Sequence, residues 1–145
     1  MIQPSSESIH ASCVAIDGHA VLIEGRSGVG KSDLALRLID RGATLVSDDY
    51  TLLLRKDGTL IARAPANIAG KIEVRGLGIL EMPHVDDVPV ALIVSVVELP
   101  PRMPAGGRAR SIAGVELREV ALAALEPSAP IKVELALRRQ LEAGV

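Results

Sequence analysis

Apolar and polar positions divide this chain into short stretches whose period changes from two to nearly four and back. Residues 9–16 and 19–24 are two apolar runs separated by Asp17-Gly18, a dipeptide that favours the tight turn of a β-hairpin. Residues 25–30 contain Gly25, Gly28 and Gly30 and read as a loop. Residues 31–41 then place Leu34, Ala35, Leu38 and Ile39 at helical spacing, with Asp33 in the first turn, Arg41 in the last and Gly42 as the C-terminal cap. A short strand over 44–47 ends at Asp48-Asp49. Residues 50–55 and 59–63 predict a hairpin across Lys56-Asp57-Gly58.

Residues 65–70 read as a loop, and 71–80 mix strand residues with Gly76 and Gly78. Residues 90–98 are almost continuously apolar, as expected of a strand buried on both faces, and end in Glu98. Residues 99–111 are rich in Pro, Gly and Arg and read as a flexible loop. Residues 115–125 fit no single period, and 130–141 predict a terminal helix with Pro130 near its start. Residues 1–8 read as an N-terminal tail and 9–145 as one domain. Strand, glycine loop, helix and strand in that order predict an α/β core, and the hairpins predict a mixed rather than parallel sheet.

Composition narrows the possibilities. Hydrophobic residues are 48% of the 145 and charged residues 23%, enough apolar material for a packed core. That core must be aliphatic, because the chain has one Tyr and no Phe or Trp. Base-stacking platforms are therefore absent, and a net charge of −2 offers no basic surface, so nucleic acid is not an expected partner. The single cysteine, Cys13, sits in an apolar strand and reads as a small buried hydrophobe. No apolar stretch approaches the roughly 20 residues a membrane-spanning helix needs, and the first residues do not resemble a signal peptide. The expectation is a cytoplasmic protein that does not engage a membrane.

The chemistry concentrates in Gly25-Arg26-Ser27-Gly28-Val29-Gly30-Lys31-Ser32, which fits G-x-x-x-x-G-K-[ST] at every fixed position. Glycines allow backbone conformations that turn N–H groups inward around phosphate. The helix beginning at Lys31 adds the partial positive charge of its N-terminus. Lys31 brings a full charge to the outer phosphates, and the Ser32 hydroxyl is a ligand for Mg²⁺. The whole segment from Gly25 to Ser32, with Arg26, Ser27, Gly28, Val29 and Gly30 between, is the expected nucleotide-binding element.

A phosphate site that performs transfer also needs carboxylates, to orient the metal and to take a proton from the nucleophile. Asp48-Asp49 end the strand after the loop's helix. Glu98, at the end of the long apolar strand, is a rival, and Glu73 is a third candidate beside a possible anion-binding turn at Arg75-Gly76-Leu77-Gly78. His10 lies near the first strand, where a packing or surface role is the plainer reading. His84, Asp86 and Asp87 read as a polar loop rather than a metal site. Arg102, Arg108 and Arg110 read either as surface charges or as groups that stabilise a transferring phosphoryl.

Taken together, Gly-Arg-Ser-Gly-Val-Gly-Lys-Ser, Arg41-Gly42, Leu45-Val46-Ser47-Asp48-Asp49 and Ile72-Glu73-Val74-Arg75-Gly76-Leu77-Gly78-Ile79 resemble the catalytic domain of HPr kinase/phosphorylase. The last segment resembles that family's signature, and the resemblance extends from about Ile9 to Glu98. It implies an α/β P-loop fold like that of phosphoenolpyruvate carboxykinase. It implies a kinase that phosphorylates a serine of an HPr-like phosphocarrier with ATP or pyrophosphate and Mg²⁺, and a reverse phosphorylase reaction that uses inorganic phosphate and releases pyrophosphate. It also implies a homo-oligomer, a hexamer in the family.

Residue by residue, the resemblance makes Lys31 a catalytic and phosphate-binding group and Ser32 a metal ligand. Asp48 matches the acid/base on the substrate hydroxyl. Asp49 and Glu73 match acidic positions around the metal, Arg75 the signature arginine, and His10 a histidine near the phosphate and the acid/base. The chain resembles a short form lacking the N-terminal domain that many members carry. Residues 99–111 are shorter than the loop that bears an active-site arginine in longer members, and the C-terminal part does not match the helix with which those members grip HPr. The rival readings are a small-molecule kinase and a nucleotide-sensing module without phosphoryl transfer. A pure sensor has no need of the Asp48-Asp49 pair.

Overall fold

The computed structural model describes residues 5–103 and 108–143. Among them eleven strands and two α-helices follow in the order β1 Ser6–Ile9, β2 Ala11–Ile16, β3 His19–Glu24, α1 Lys31–Asp40, β4 Thr44–Ser47, β5 Thr51–Lys56, β6 Thr59–Arg63, β7 Lys71–Val74, β8 Gly78–Glu81, β9 Val88–Val96, β10 Arg108–Ile112, β11 Val115–Leu122 and α2 Ala129–Glu142, with a short 3-10 turn at Ala66–Ile68. The fold is mixed α/β. Among the described residues the main sheet has nine strands in the order β1-β5-β6-β9-β3-β2-β4, with the β10–β11 hairpin added where β11 runs parallel to β9.

β9 is the spine. Its first residues pair antiparallel with β6, at Pro89 and Val88, and its last pair parallel with β11, from Ile93 to Val96. Its other edge runs parallel to β3. The sheet curls, bringing β2 against β5 and β4 against β6. Alternation along β2, β3, β4 and β9 then fills both faces. Val14, Val21, Ile23, Leu45, Leu92 and Val94 face α1, α2 and Ile72 of β7. Cys13, Ala20, Leu22, Val46 and Ile93 face Leu53, Leu60 and Leu117 inside the curl. This is why these strands read as continuous apolar runs: a strand covered on both sides has no solvent face to mark with polar residues.

α1 buries Lys31, Leu34, Ala35 and Leu38. Its end is fixed by Gly42 in the left-handed region, φ 115°, and by a fork of hydrogen bonds from Arg41 to Glu134 of α2. Those contacts and the nearby carboxylate of Asp40 hold the Arg41 guanidinium more firmly charged than usual. No helix among the described residues is long and apolar enough to cross a membrane.

The tail expected over 1–8 is corrected in part, since Ser6–Ile9 forms an antiparallel strand on β5; residues 1–4 lie outside the described residues. The loop expected over 99–111 is likewise corrected at its end, where Arg108–Ile112 is β10; residues 104–107 lie outside the described residues. The single strand expected over 9–16 is broken at His10, where the chain leaves β5 and joins β3 and β4. Residues 71–80 resolve into the β7–β8 hairpin, and 115–125 into β11 and the segment after it.

Cys13 is completely buried in β2, and burial pushes its thiol pKa above the ordinary value. Only the thiolate attacks a disulfide reagent. Labelling of Cys13 by such a reagent should therefore run at least roughly a hundredfold slower in the folded protein than in denaturant. Equal rates would show that β2 is not in the core.

Candidate active site

The antiparallel pairing of β2 with β3 sets Ala11 opposite Glu24, and β4 runs antiparallel to β2. The start of β2 and the ends of β3 and β4 therefore lie at one edge of the sheet. That register brings His10, the loop after Glu24 and Asp48-Asp49 together from three separate parts of the sequence.

The glycine loop is shaped by contact as well as by conformation. A side chain at Gly25 would lie 3.0 Å from the carbonyl oxygen of Val96 and 2.9 Å from Val29 Cγ2, so only glycine lets the loop leave β3 against the end of β9. Gly28 and Gly30 have φ of 85° and 98°, the region L side chains avoid. Gly30 caps α1. Lys31 is buried, and its Nζ folds back to donate to the carbonyls of Gly25 at 2.6 Å and Arg26 at 3.0 Å. Two neutral carbonyls thus hold a full positive charge inside the loop, where an anion would be a stronger acceptor. Ser27 is exposed, and Val29 packs against the core on the helix side.

Beside the loop stands Asp48, only 7% exposed. Its Oδ1 accepts from the Ser32 hydroxyl at 2.7 Å and the Ser12 hydroxyl at 2.9 Å, and its Oδ2 from the backbone N–H of Glu73 at 3.0 Å. A buried carboxylate is costly unless its oxygens are matched by donors, and here they are. The next residue, Asp49, turns the chain in the left-handed conformation, φ 70°, which aspartate tolerates better than most residues. Its N–H donates to Ser12 Oγ at 3.2 Å, and its carboxylate lies 2.8 Å from His10 Nε2. The His10 ring stacks on Tyr50 with centroids 5.0 Å apart.

The structure thus gathers Lys31, Ser32, Asp48, Asp49 and His10 around the mouth of α1, with Glu73 joined through its backbone. Arg75 lies beyond it, exposed in the β7–β8 turn. Glu98 stands apart: it follows β9, on the other flank of β3, and forms an exposed ion pair with Arg26. His84 packs on Gly70, and Asp87 pairs with Arg63 at 2.7 Å, so residues 84–87 scatter. Arg110 is in β10, with Nη2 2.8 Å from Glu24 Oε2 and Nη1 3.7 Å from the buried Glu119. The bond to Glu24 raises the guanidinium's pKa further. Among the described residues no group of three or more His, Cys, Asp and Glu side chains is gathered as a metal cage.

The residue that sequence reasoning missed is Ser12. It is fully buried and links Asp48 to the Asp49 backbone. Its signal was slight, one hydroxyl inside the apolar run Ala11-Ser12-Cys13-Val14.

A family model described as the HPr Serine kinase C-terminal domain matches residues 3–86. Among curated proteins, the HPr kinase/phosphorylase of Clostridium botulinum strain Eklund 17B is 45% identical over 74 residues, covering 51% of this chain and 24% of that protein. The HPr kinase/phosphorylase of Clostridium beijerinckii is 47% identical over 74 residues, with the same shares covered. The chain thus spans about a quarter of the length of these relatives. A solved structure, the Hpr(Ser) kinase/phosphatase from Coxiella burnetii, matches with a TM-score of 0.83 at 30% identity and covers 96% of this chain and 99% of its own.

Ser12→Ala removes a donor to a buried carboxylate and leaves the Asp49 N–H without its acceptor. Denaturant titration followed by far-UV circular dichroism should show a loss of about 1–3 kcal/mol. An unchanged midpoint would mean that the Ser12 hydroxyl does not anchor the acidic turn.

Proposed function

The chain belongs to the HPr Serine kinase C-terminal domain family, and on that premise we propose that it transfers a phosphoryl group from ATP or pyrophosphate to a serine of an HPr-like phosphocarrier protein. The observation that carries the proposal is Asp48, a buried carboxylate bonded to Ser32 of the glycine loop and within the same turn as the exposed Asp49. We read the fold in the same way, as a P-loop domain of the phosphoenolpyruvate carboxykinase type.

The loop amides from Gly25 to Gly30 and the N-terminus of α1 hold the phosphates. Lys31 exchanges its two loop carbonyls for phosphate oxygens, a stronger, charge-assisted contact. The Ser32 hydroxyl and the carboxylates of Asp49 and Glu73, all hard oxygen donors, would hold Mg²⁺, an ion commonly held by few protein ligands together with substrate phosphates. When bound it would supply positive charge against the phosphate oxygens.

A neutral serine hydroxyl is a poor nucleophile. Rotation of the Ser32 hydroxyl away from Asp48 leaves Oδ1 to accept the substrate's proton. As the serine oxygen bonds to the terminal phosphorus, the bond from that phosphorus to the bridging oxygen breaks and the proton passes to Asp48. In the reverse direction an oxygen of inorganic phosphate attacks the phosphorus of the phosphoserine, the bond from that phosphorus to the serine oxygen breaks as pyrophosphate forms, and Asp48 returns the proton to the departing serine oxygen. His10, hydrogen-bonded to Asp49 and braced by Tyr50, orients the acidic turn and faces the incoming phosphate. Arg75 supplies a cation for the substrate from the adjacent hairpin turn.

The test is transfer from γ-labelled ATP with Mg²⁺ to HPr-like proteins. Asp48→Asn should lower transfer by roughly 10²- to 10⁴-fold while ATP binding persists, with Cys13 protection checking that the variant is folded. Undiminished transfer by a folded Asp48→Asn protein would remove Asp48 from the acid–base role.

A further inference from the structure

Asp48 Oδ1 accepts from two hydroxyls, and the two are placed differently. Ser32, at 2.7 Å, is half-buried in the first turn of α1, beside the glycine loop. Ser12, at 2.9 Å, lies inside β2 with no surface open to water. A serine hydroxyl has one hydrogen and normally rotates to suit its neighbours. Ser12 has little such freedom. The backbone N–H of Asp49 donates to its oxygen at 3.2 Å, so one side of that oxygen is taken and its own hydrogen is left to Asp48. Ser12 is thus a fixed donor, whereas Ser32 is an exchangeable one.

The other carboxylate oxygen, Oδ2, is held by the N–H of Glu73 at 3.0 Å. With Ser12 on Oδ1 and Glu73 on Oδ2, the carboxylate is tied at both ends and its plane is set. An aspartate without such ties turns readily, because its χ2 torsion is broad.

We infer that Ser12 is a positioning residue for phosphoryl transfer, which holds the Asp48 carboxylate in plane while Ser32 is turned away. The inference rests on the acid–base reading of Asp48 above and deepens it. In that reading the Ser32 hydroxyl leaves Oδ1 so that the substrate serine can take its place. Ser12 is then the donor that remains on Oδ1. It occupies the core side of the oxygen, and the lone pair that Ser32 vacates is the one offered to the incoming hydroxyl. Without Ser12 the carboxylate would hinge on the Glu73 bond alone, and Oδ1 would swing out of line with the proton it must accept. Proton transfer depends on hydrogen-bond reach and alignment. The loss therefore falls on the chemical step. Nucleotide binding is spared, since the Ser12 hydroxyl bonds only to Asp48 and Asp49 among the described residues.

Steady-state transfer from γ-labelled ATP with Mg²⁺ to the HPr-like protein that accepts the label separates this role from a structural one. Each variant is assayed at a temperature where circular dichroism shows it folded. Ser12→Ala should lower kcat roughly tenfold and leave KM for ATP within about twofold. Ser12→Cys nearly keeps the side chain's volume but offers only a weak S–H donor, so it should lose at least about threefold in kcat. Added to Asp48→Asn, the Ser12→Ala change should cost less than about twofold, because the group that Ser12 positions no longer acts as the base. A folded Ser12→Ala or Ser12→Cys protein with full kcat, a rise in KM that accounts for the loss, or an equal loss in the Asp48→Asn background overturns the positioning role and leaves Asp48 in place. Undiminished transfer by Asp48→Asn, or none by the unaltered protein, removes the acid–base reading and this one with it.

Discussion

Everything at this site depends on keeping one carboxylate charged and immobile at the edge of an aliphatic core. Asp48 is almost out of water, and an unmatched charge there would cost several kcal/mol. Three donors from three elements match it: Ser12 of β2, Ser32 of α1 and the N–H of Glu73 in β7. The same bonds therefore do two things. They stabilise the acid, and they fix the glycine loop, the acidic turn and the β7–β8 hairpin relative to one another. A shift of any one element removes a bond from a buried carboxylate, and loss of the Glu73 N–H leaves its Oδ2 without a donor, so the site's geometry and the fold's stability are coupled.

What was legible in the sequence follows from how locally each feature is determined. The glycine loop is fixed by its own residues, and its motif was complete. Asp17-Gly18 and Asp57-Gly58 each take two successive left-handed conformations, as their identities forecast. The β10–β11 hairpin was not legible because its turn is Ala113-Gly114, and alanine gives no notice of a positive φ. β1 and β10 escaped for another reason. Ser-Glu-Ser-Ile and Arg-Ala-Arg-Ser-Ile have little apolar content, because each pairs along one edge and shows most of its side chains to solvent.

The site divides in the same way. Lys31, Ser32, Asp48 and Asp49 could be named as candidates from a motif and a strand end, and Glu73 and Arg75 from an acid beside a glycine turn, while the resemblance gave each a role and raised His10 above a packing residue. Ser12 could not be named, since a serine in an apolar strand is ordinary until its partner is known, and that partner lies 36 positions away. Glu98 was a fair rival by pattern alone. Only the order of strands separates it from Asp48, with β9 on one side of β3 and β2 and β4 on the other. Pattern finds strands that end in acids, whereas topology decides which acid meets Ser32 at the start of α1 and which pairs with Arg26 on the other flank.

That same strand order gives the loop two unlike flanks. The β2–β4 flank is lined with hydroxyls, carboxylates and an imidazole, groups that can hold a metal or move a proton. The β9–β11 flank is lined with Val29, Val97, Ala124 and Leu125, which can do neither but can exclude water. A parallel strand beside β3 ends at the loop's level, so the segments after β9 and β11 reach the glycine-loop end of the sheet without a long connection. Arg37 then removes the freedom those segments would otherwise have, by taking the carbonyls at 124 and 126 as helix α1 passes beneath them. The helix that begins at the glycine loop thus also sets the position of the apolar wall. Any change that tilts α1 would disturb both flanks together, because Ser32 bonds Asp48 on one side and Arg37 holds the carbonyls of Ala124 and Glu126 on the other.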